Sequence, residues 1–182
     1  MYVFEFKTKI SGSDISIEIS ADEKHIEEIE ITCGTGGKPP EYKREMPPVS
    51  ESELNLLPHL YKLINLLDDY FSGKLTDFSE VPVNFSLYSD FSAKILKALQ
   101  NVKYGETLSY KELAVKAEYN EKYSRACATA LSINKTPIIL PCHRIIASGG
   151  KLGGWSGGGG IQFKAALLSL EKKYYMIAYK YA

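Results

Sequence analysis

Residues 138–146 constrain the fold more than any other stretch of this 182-residue sequence. Three apolar residues come first, and Pro141 then precedes Cys142, His143 and Arg144 before two isoleucines follow. Because proline fixes its own φ and lacks an N–H group, Pro141 cannot serve as an ordinary residue of a central strand. The pattern therefore predicts a short buried stretch that breaks where the thiol is presented.

Cys142 is a candidate nucleophile because it stands next to a histidine and an arginine. The thiolate is the reactive form of cysteine, and a neighbouring histidine or cation increases the thiolate fraction. The alternative is a buried, unreactive cysteine beside a surface His-Arg pair, since free cysteine is among the most buried residue types. A lone Cys-His pair does not decide between the two.

The net charge of +0 conceals a division between the two halves of the chain. Residues 1–85 hold 8 Lys+Arg and 16 Asp+Glu, whereas residues 86–182 hold 14 and 6. Opposite balances of this size suggest a basic module for a polyanion, joined to an acidic module that does not touch it. Surface charge that varies only for solubility is the alternative.

The composition favours an intracellular globular protein. No apolar run reaches the roughly 18 residues that a membrane span needs, and the start of the chain lacks the features of a signal peptide. Cys33, Cys127 and Cys142 are too widely spaced for a disulfide framework or a zinc signature. We therefore expect a cytoplasmic protein with no membrane partner, no metal and no cofactor.

The first half is predicted to contain three strands followed by a helix. Apolar residues alternate with polar ones around Phe4, Ile17 and Ile29, as in half-buried strands. Residues 34–50 are predicted to be a loop, and residues 51–71 a helix that begins with a Ser50/Glu53 capping box. The inward face of that helix is predicted to hold Leu54, Leu57, Tyr61, Ile64, Leu67 and Phe71. Residues 78–84 are predicted to be a linker, with the domain boundary near residue 86.

The second half is predicted to be mostly helical. A helix over residues 91–102 is followed by a Ser109/Glu112 capping box that opens a second helix, and Ser124 is expected to cap a third. Two short helices joined by a tight turn are typical of a helix-turn-helix motif. The small residues 126–130 behind Arg125 would let the third helix approach a partner backbone closely, unless they only form a tight helix–helix contact.

A glycine-rich loop and a last helix complete the chain. Residues 149–160 surround Trp155 with glycines but lack the pattern of a phosphate-binding loop, so a role in shaping a pocket is favoured. Residues 161–173 are predicted to be a helix, and residues 174–181 a strand or an extended arm.

Several of these segments together resemble the O6-alkylguanine-DNA alkyltransferase family. Pro141-Cys142-His143-Arg144-Ile145 resembles its active-site signature, residues 105–114 its first helix-turn-helix segment, and Ser124-Arg125-Ala126 the start of its recognition helix. Asn134, Trp155-Ser156-Gly157, and Lys164 with Glu171 correspond to its asparagine hinge, binding loop and final helix. The resemblance covers about residues 87–173, whereas the first half resembles the family only loosely, through residues 70–75.

This resemblance implies an α+β fold and a DNA-repair activity. Residues 1–85 would form a ribonuclease-H-like α/β domain, and residues 86–182 a mostly helical winged helix-turn-helix domain that carries the cysteine. The protein would be a methylated-DNA–protein-cysteine methyltransferase that moves an alkyl group from O6 of guanine in double-stranded DNA onto Cys142, irreversibly and once per molecule. It would act as a monomer, in the cytoplasm or in a eukaryotic nucleus. The accepted adducts, and activity on O4-alkylthymine, stay open.

The resemblance also assigns roles to individual residues. Cys142 would attack the alkyl carbon. Either the backbone turns at Pro141 so that His143 reaches the thiol, or a water molecule links the thiol and the imidazole. Glu171 would orient the imidazole and favour its protonated form. The Tyr110 hydroxyl and the Ser156 N–H would stabilise the departing guanine. The remaining assignments are Asn134 as the link to the Cys142 segment, Leu131, Pro137, Trp155 and Gly157 as pocket wall, and Ser124, Arg125, Ala126, Tyr110 and Arg144 as DNA contacts.

A base inside a duplex cannot present O6 to a buried thiol, so the nucleotide would be flipped out, with Arg125 inserted in its place. The small residues behind Arg125 suit a helix in the minor groove, which is only about 6 Å wide.

The sequence departs from the family at two points and leaves two other functions open. Trp155 stands where the family usually has tyrosine, and the loop between Ser156 and Lys164 is longer than usual, which bears on the tolerance of bulky adducts. His25, Cys33 and His59 are too few for the four-ligand zinc site of some relatives. The alternatives are a sensor of alkylated bases that transfers nothing, and an unrelated cysteine hydrolase or acyltransferase that turns over.

Overall fold

The computed structural model describes residues 1–34 and 57–180, with residues 174–180 described by their backbone alone. In the first half, the predicted strands are confirmed as β1 (Tyr2–Ile10), β2 (Ser13–Ala21) and β3 (Ile26–Cys33), which form an antiparallel sheet in the order β1-β2-β3. Helix α1 (Pro58–Phe71) follows. The predicted Ser50/Glu53 capping box and nearly all of the predicted loop lie outside the described residues.

The sheet buries one face against α1 and the last helix. Phe6 lies opposite Ile17, which lies opposite Ile31, so the strand period of two places an apolar row on one side. The ring of Phe6 stacks on that of Phe71 in α1, with centroids 6.2 Å apart. Alternating apolar residues thus produce the core of the first half.

Helix α1 is rotated relative to the sequence-based prediction. Its buried residues are Leu60, Leu63, Ile64, Leu67, Tyr70 and Phe71, whereas Tyr61 is 40% exposed. Each residue turns a helix by about 100°, so a face that includes positions 60, 63 and 70 excludes position 61. The rotation brings the Tyr70 side chain into the interior of the molecule.

Residues 78–84 are part of the sheet region and not the predicted linker. The Ile26 N–H donates to the Pro82 carbonyl at 2.8 Å, and Val83 pairs in parallel with Ile26. Phe78, Val81 and Val83 are buried. Pro82 is compatible with this pairing because it supplies only a carbonyl acceptor there.

The second half contains four helices and one short parallel sheet among its described residues. These are α2 (Asp90–Gln100), β4 (Leu108–Ser109), α3 (Tyr110–Lys116), α4 (Ser124–Ser132), β5 (Ile145–Ile146) and α5 (Gly160–Lys180). The predicted Ser109/Glu112 capping box is present at the start of α3. Strand β4 pairs with β5, which ties the start of α3 to the segment that carries Cys142.

Two boundaries in this half differ from the prediction. Ser124 is the first residue of α4 and not its cap, because a 3₁₀ turn at Glu121–Tyr123, capped by the Asn120 side chain, leads directly into the helix. Helix α5 continues to Lys180, so the strand or arm predicted at residues 174–181 is wrong for residues 174–180. No glycine or proline stands between residues 161 and 180 to end the helix earlier.

The helices α2, α3 and α4 pack against one another, and the 3₁₀ turn at Glu121–Tyr123 lies between α3 and α4. Among the described residues, no helix combines the length and apolar character that a bilayer-spanning segment requires.

Candidate active site

Cys142 lies in a 3₁₀ turn, Cys142–Arg144, that follows directly on Pro141. The backbone therefore turns at Pro141, but among the described residues this turn gives no direct hydrogen bond between the Cys142 thiol and His143 Nδ1. Asn134 fixes this turn: its Nδ2 donates to the Leu140 carbonyl at 2.9 Å and to Cys142 Sγ at 3.3 Å. Its Oδ1 accepts from the Thr136 N–H. One side chain thus joins the end of α4 to the thiol.

His143 and Glu171 form a buried pair behind the thiol. Nε2 of His143 lies 2.7 Å from Glu171 Oε1, and both side chains are almost completely buried. Because Nε2 donates to the carboxylate, Nδ1 is the nitrogen that can accept a proton. Nδ1 is buried and has no hydrogen-bond partner among the described residues.

Glu171 is the acceptor for a larger buried network. Arg144 donates to it through Nε and Nη2 and also donates from Nη1 to the Val102 carbonyl. The Gly105 N–H donates to Glu171 Oε2 at 3.0 Å. The carboxylate is therefore not an exposed charge at a helix end but the centre of the network.

The pKa values follow from this burial. Burial alone would raise the pKa of Glu171, but the charges and hydrogen bonds of His143 and Arg144 hold it far below its usual range. Burial lowers the pKa of His143 despite Glu171, so the predicted preference for a protonated imidazole is not what the resting site favours. Burial also raises the pKa of the Cys142 thiol, opposed by the Asn134 hydrogen bond and the charge of Lys164.

Lys164 has a role at this site that its sequence position alone did not reveal. Its Nζ is buried and donates to the Ile145 carbonyl at 2.6 Å and the Gly154 carbonyl at 3.2 Å. Burial lowers the pKa of Lys164, while the nearby Cys142 sulfur raises it. The lysine therefore joins α5, β5 and the glycine-rich loop, and favours a negative sulfur.

Cys142 opens onto a pocket of about 420 Å³. Asn134, Pro137, Trp155, Ser156 and Gly157 line it. The predicted wall residue Leu131 does not, because it is buried in the packing side of α4. A larger cavity of about 890 Å³ lies beside Arg144, but no cysteine lines it.

One wall of the Cys142 pocket comes from the first half of the chain. Residues 28–31 of β3 line it, and the Ile29 N–H donates to the Lys135 carbonyl at 2.7 Å. The glycine-rich loop presses against the same strand: a Cβ at Gly158 would lie 1.6 Å from the Ile31 carbonyl oxygen. No sequence pattern indicates this wall, since the two segments are more than 100 residues apart.

The part of the chain that holds Cys142, His143 and Glu171 is similar to known proteins. Residues 90–173 match the family model described as 6-O-methylguanine DNA methyltransferase, DNA binding domain. A methylated-DNA–protein-cysteine methyltransferase of Metallosphaera sedula is 40% identical over 60% of this chain, and one of Mycobacterium bovis is 44% identical over 60% of it. Residues 90–173 therefore resemble the DNA-binding domain of 6-O-methylguanine DNA methyltransferases. The matched region spans 65% and 63% of these relatives, which is under two thirds of each.

Solved structures of this methyltransferase family extend the similarity to most of the chain. The Mycobacterium tuberculosis OGT in complex with DNA has a TM-score of 0.65, with 28% identity over 93% of each chain. The O6-methylguanine-DNA methyltransferase of Pyrococcus kodakaraensis has a TM-score of 0.64 at 21% identity, over 93% of this chain and 99% of that one. The chain therefore has the mixed α/β fold of these proteins.

The residues of α4 that are predicted to contact DNA differ in their exposure to solvent. Arg125 is exposed on the first turn of α4, and Ser124 and Ala126 beside it are partly exposed. In the small-residue run behind them, Cys127 and Ala130 pack inward while Ala128 and Thr129 face solvent, so the run serves both a helix contact and an open surface. These positions are compatible with the roles that the methyltransferase family suggests.

Arg144 and Tyr110 are the other two residues that are predicted to contact DNA. Arg144 is 4% exposed and its guanidinium is held by Glu171 and Val102, so the prediction that it contacts DNA is wrong. Tyr110 is the first residue of α3 and partly buried; burial, and then the negative Cys142 sulfur, raise the pKa of its phenol. Tyr110 therefore stays a hydroxyl donor close to the thiol.

A possible group of metal ligands lies around the start of β3. Within the described ranges, the partly buried Asp22, His25 and Glu27 place ligand atoms within 4.8 Å of one another. Cys33 is at the opposite end of β3 from His25, so the three residues considered from the sequence do not form one group.

We expect Glu171→Gln to destabilise the protein by about 3–5 kcal/mol at neutral pH, because it breaks a buried ion pair and leaves Arg144 uncompensated. The folded-state pKa of Glu171 lies below its unfolded value of roughly 4.3, so its stabilisation is present above that pH and is lost as the pH falls further. Urea unfolding at neutral pH and below about pH 4 should therefore show that the variant loses less stability on acidification than the wild-type protein does.

Glu118→Gln is the matched control, since Glu118 pairs with Lys94 on an exposed surface. It should change neither the stability nor its acid dependence appreciably. Equal behaviour of the two variants would contradict the central position of Glu171.

Proposed function

We propose that this protein repairs alkylated DNA by transferring the alkyl group from O6 of guanine to Cys142, irreversibly and once per molecule. The observation that carries the proposal is the thiol at the pocket floor, hydrogen-bonded by Asn134 and followed directly by the buried His143–Glu171 pair. An alkyl carbon requires a soft nucleophile, which a thiolate is. The names of the relatives support the same substrate class.

The resting thiol and imidazole are both neutral, so the reaction must generate the thiolate when substrate is in place. The thiol proton passes to Nδ1 of His143 through one water molecule, since no hydrogen bond joins the two groups directly among the described residues, and Glu171 stabilises the resulting imidazolium through Nε2. The sulfur attacks the alkyl carbon, the carbon–O6 bond breaks, and its electron pair stays with guanine. The Tyr110 hydroxyl and the Ser156 N–H donate to the guanine as negative charge develops, as donors in an oxyanion hole do.

The substrate would reach Cys142 as a flipped nucleotide in double-stranded DNA. Helix α4 is proposed as the recognition helix in the minor groove, with Arg125 filling the place of the extruded guanine and Ser124 and Ala126 beside the backbone. Tyr110 would press on the neighbouring phosphate. Pro137, Trp155 and Gly157 would hold the base in the pocket.

The finer architecture belongs to the same proposal. Residues 1–85 would be a ribonuclease-H-like α/β domain, and residues 86–182 a winged helix-turn-helix domain, for which the α3–α4 pair and the small β4–β5 sheet give support. The protein is proposed to act as a monomer, in the cytoplasm or in a eukaryotic nucleus, without a cofactor.

Intact-mass measurement after mixing with an O6-methylguanine duplex tests the reaction. We expect a gain of one methyl group, mapped to the peptide that holds Cys142, and repair that stops at one equivalent. Binding of the duplex without any mass gain would indicate a lesion sensor. Repeated product release by an unmodified protein would indicate a cysteine hydrolase, and either outcome would refute the proposal.

A further inference from the structure

Tyr70 carries a buried hydroxyl from the first half of the chain to the centre of the proposed active site. It lies near the end of α1 and is completely buried. Its hydroxyl donates to Glu171 Oε1 at 2.8 Å and lies 3.4 Å from His143 Nε2. Tyr70 is therefore in contact with both members of the pair that would receive the thiol proton.

The surroundings hold this hydroxyl in one place. The Tyr70 ring meets the rings of Phe78 and Tyr104 edge-on, each with centroids 5.7 Å apart. Burial, and then the charge of Glu171, raise the pKa of Tyr70 well above its ordinary value. The phenol is consequently protonated at neutral pH and acts as a fixed donor to the carboxylate.

The hydrogen bond from Tyr70 to Glu171 Oε1 weakens the stabilisation that the carboxylate gives to a protonated imidazole. The same oxygen accepts from His143 and from Arg144, so its negative charge is shared among several donors. A carboxylate that is already hydrogen-bonded stabilises an imidazolium less strongly than an unshared one. The Tyr70 hydroxyl should therefore keep Nδ1 of His143 available as a proton acceptor at neutral pH.

We propose that Tyr70 is a positioning residue for alkyl transfer: its hydroxyl fixes Glu171 and limits the pull of the carboxylate on His143, so that the first half of the chain sets the basicity of the acceptor. This inference rests on the proposed function and deepens it. Tyr70 lies outside the matched residues 90–173, so the family model does not contain it. It gives the first half a defined part in the chemistry.

Tyr70→Phe tests the proposal because it removes the oxygen and keeps the ring. The acid limb of the pH–rate profile for methyl transfer should move to higher pH by about half a unit to one unit, since His143 now gains its proton more easily. The His143 ring nitrogens, followed by ¹⁵N NMR, should titrate at correspondingly higher pH. The chain has only three histidines, so His25→Gln and His59→Gln assign the other two signals.

Tyr88→Phe is the matched control, because it also deletes a tyrosine hydroxyl that is hydrogen-bonded, here to the Lys135 N–H at 3.0 Å. It should leave the acid limb and the His143 titration where they are. If Tyr70→Phe only lowers the stability and moves neither measurement, Tyr70 is a packing residue and the proposal is overturned.

Site-specific 3-fluorotyrosine at position 70 provides a second test that keeps the hydroxyl. It is a stronger donor, so both measurements should shift to lower pH; a shift to higher pH, or no shift, would refute the proposal. The His143 titration can be recorded whether or not the protein transfers alkyl groups. A wild-type protein that gains no methyl group would therefore overturn the proposed function while this test remained readable.

Discussion

Cys142→Ala should abolish alkyl transfer while the protein still binds a duplex that contains O6-methylguanine. The substitution removes the sulfur that would form the new bond, and the other two cysteines cannot replace it. Cys127 is buried on the inward side of α4, and Cys33 lies on β3 against the glycine-rich loop. The Arg125 surface and the rest of the pocket stay intact, so affinity should be retained. The measurements are intact mass for transfer and a mobility-shift titration for binding.

Cys127→Ala is the matched control for this experiment. It removes a thiol from the same half of the chain that does not line the pocket, and transfer should continue at one equivalent. Methyl gain by Cys142→Ala, at any position, would show that another nucleophile accepts the group. Loss of duplex binding along with transfer would show that the thiol also holds the flipped base.

Arg125→Ala should reduce repair of duplex DNA by about one to two orders of magnitude, while the reaction with free O6-benzylguanine stays within a factor of about two. Losing one side chain that stabilises an extruded nucleotide costs a few kcal/mol, consistent with the energy of unstacking a base. A free base needs no extrusion, and Arg125 is exposed on α4 without lining the pocket. Second-order rate constants on the two substrates separate the steps.

Lys62→Ala removes the same charge from α1, where Lys62 pairs with Glu80 far along the chain from α4. It should leave both rate constants unchanged. If Arg125→Ala lowers both rates equally, the arginine acts on the pocket or on folding, and its role in base flipping is excluded.

Local patterns predicted much of the fold because their causes are local. The Ser109/Glu112 capping box depends on a spacing of three residues, and the strands around Phe6 and Ile17 depend on a period of two. Cys142 with His143 and Glu171 could be proposed because their motif resembles that of a known family. Their distances could not be predicted from the residues themselves, since 28 positions separate His143 from Glu171.

The predictions that failed concern how distant segments meet. The family resemblance assigns Arg144 to the DNA contacts, but a buried carboxylate 27 positions later holds it inside. Tyr70 was not singled out as a site residue because the helix face was placed around Tyr61, and its partner His143 is 73 positions away. In both cases the deciding contact joins elements that are far apart in the sequence. A local sequence pattern does not show how such elements pack against each other.

The contact between β3 and the glycine-rich loop bears on how large an adduct the proposed pocket can accept. The contact is formed by main-chain atoms, with the Ile29 N–H on the Lys135 carbonyl and the Ile31 carbonyl against Gly158. Exchanging side chains along the strand therefore leaves the gap between the two halves unchanged, whereas any side chain at position 158 would wedge it open. Engineering for a wider range of adducts should begin at that glycine, and the opposing constraint is the loss of contact between the glycine-rich loop and β3.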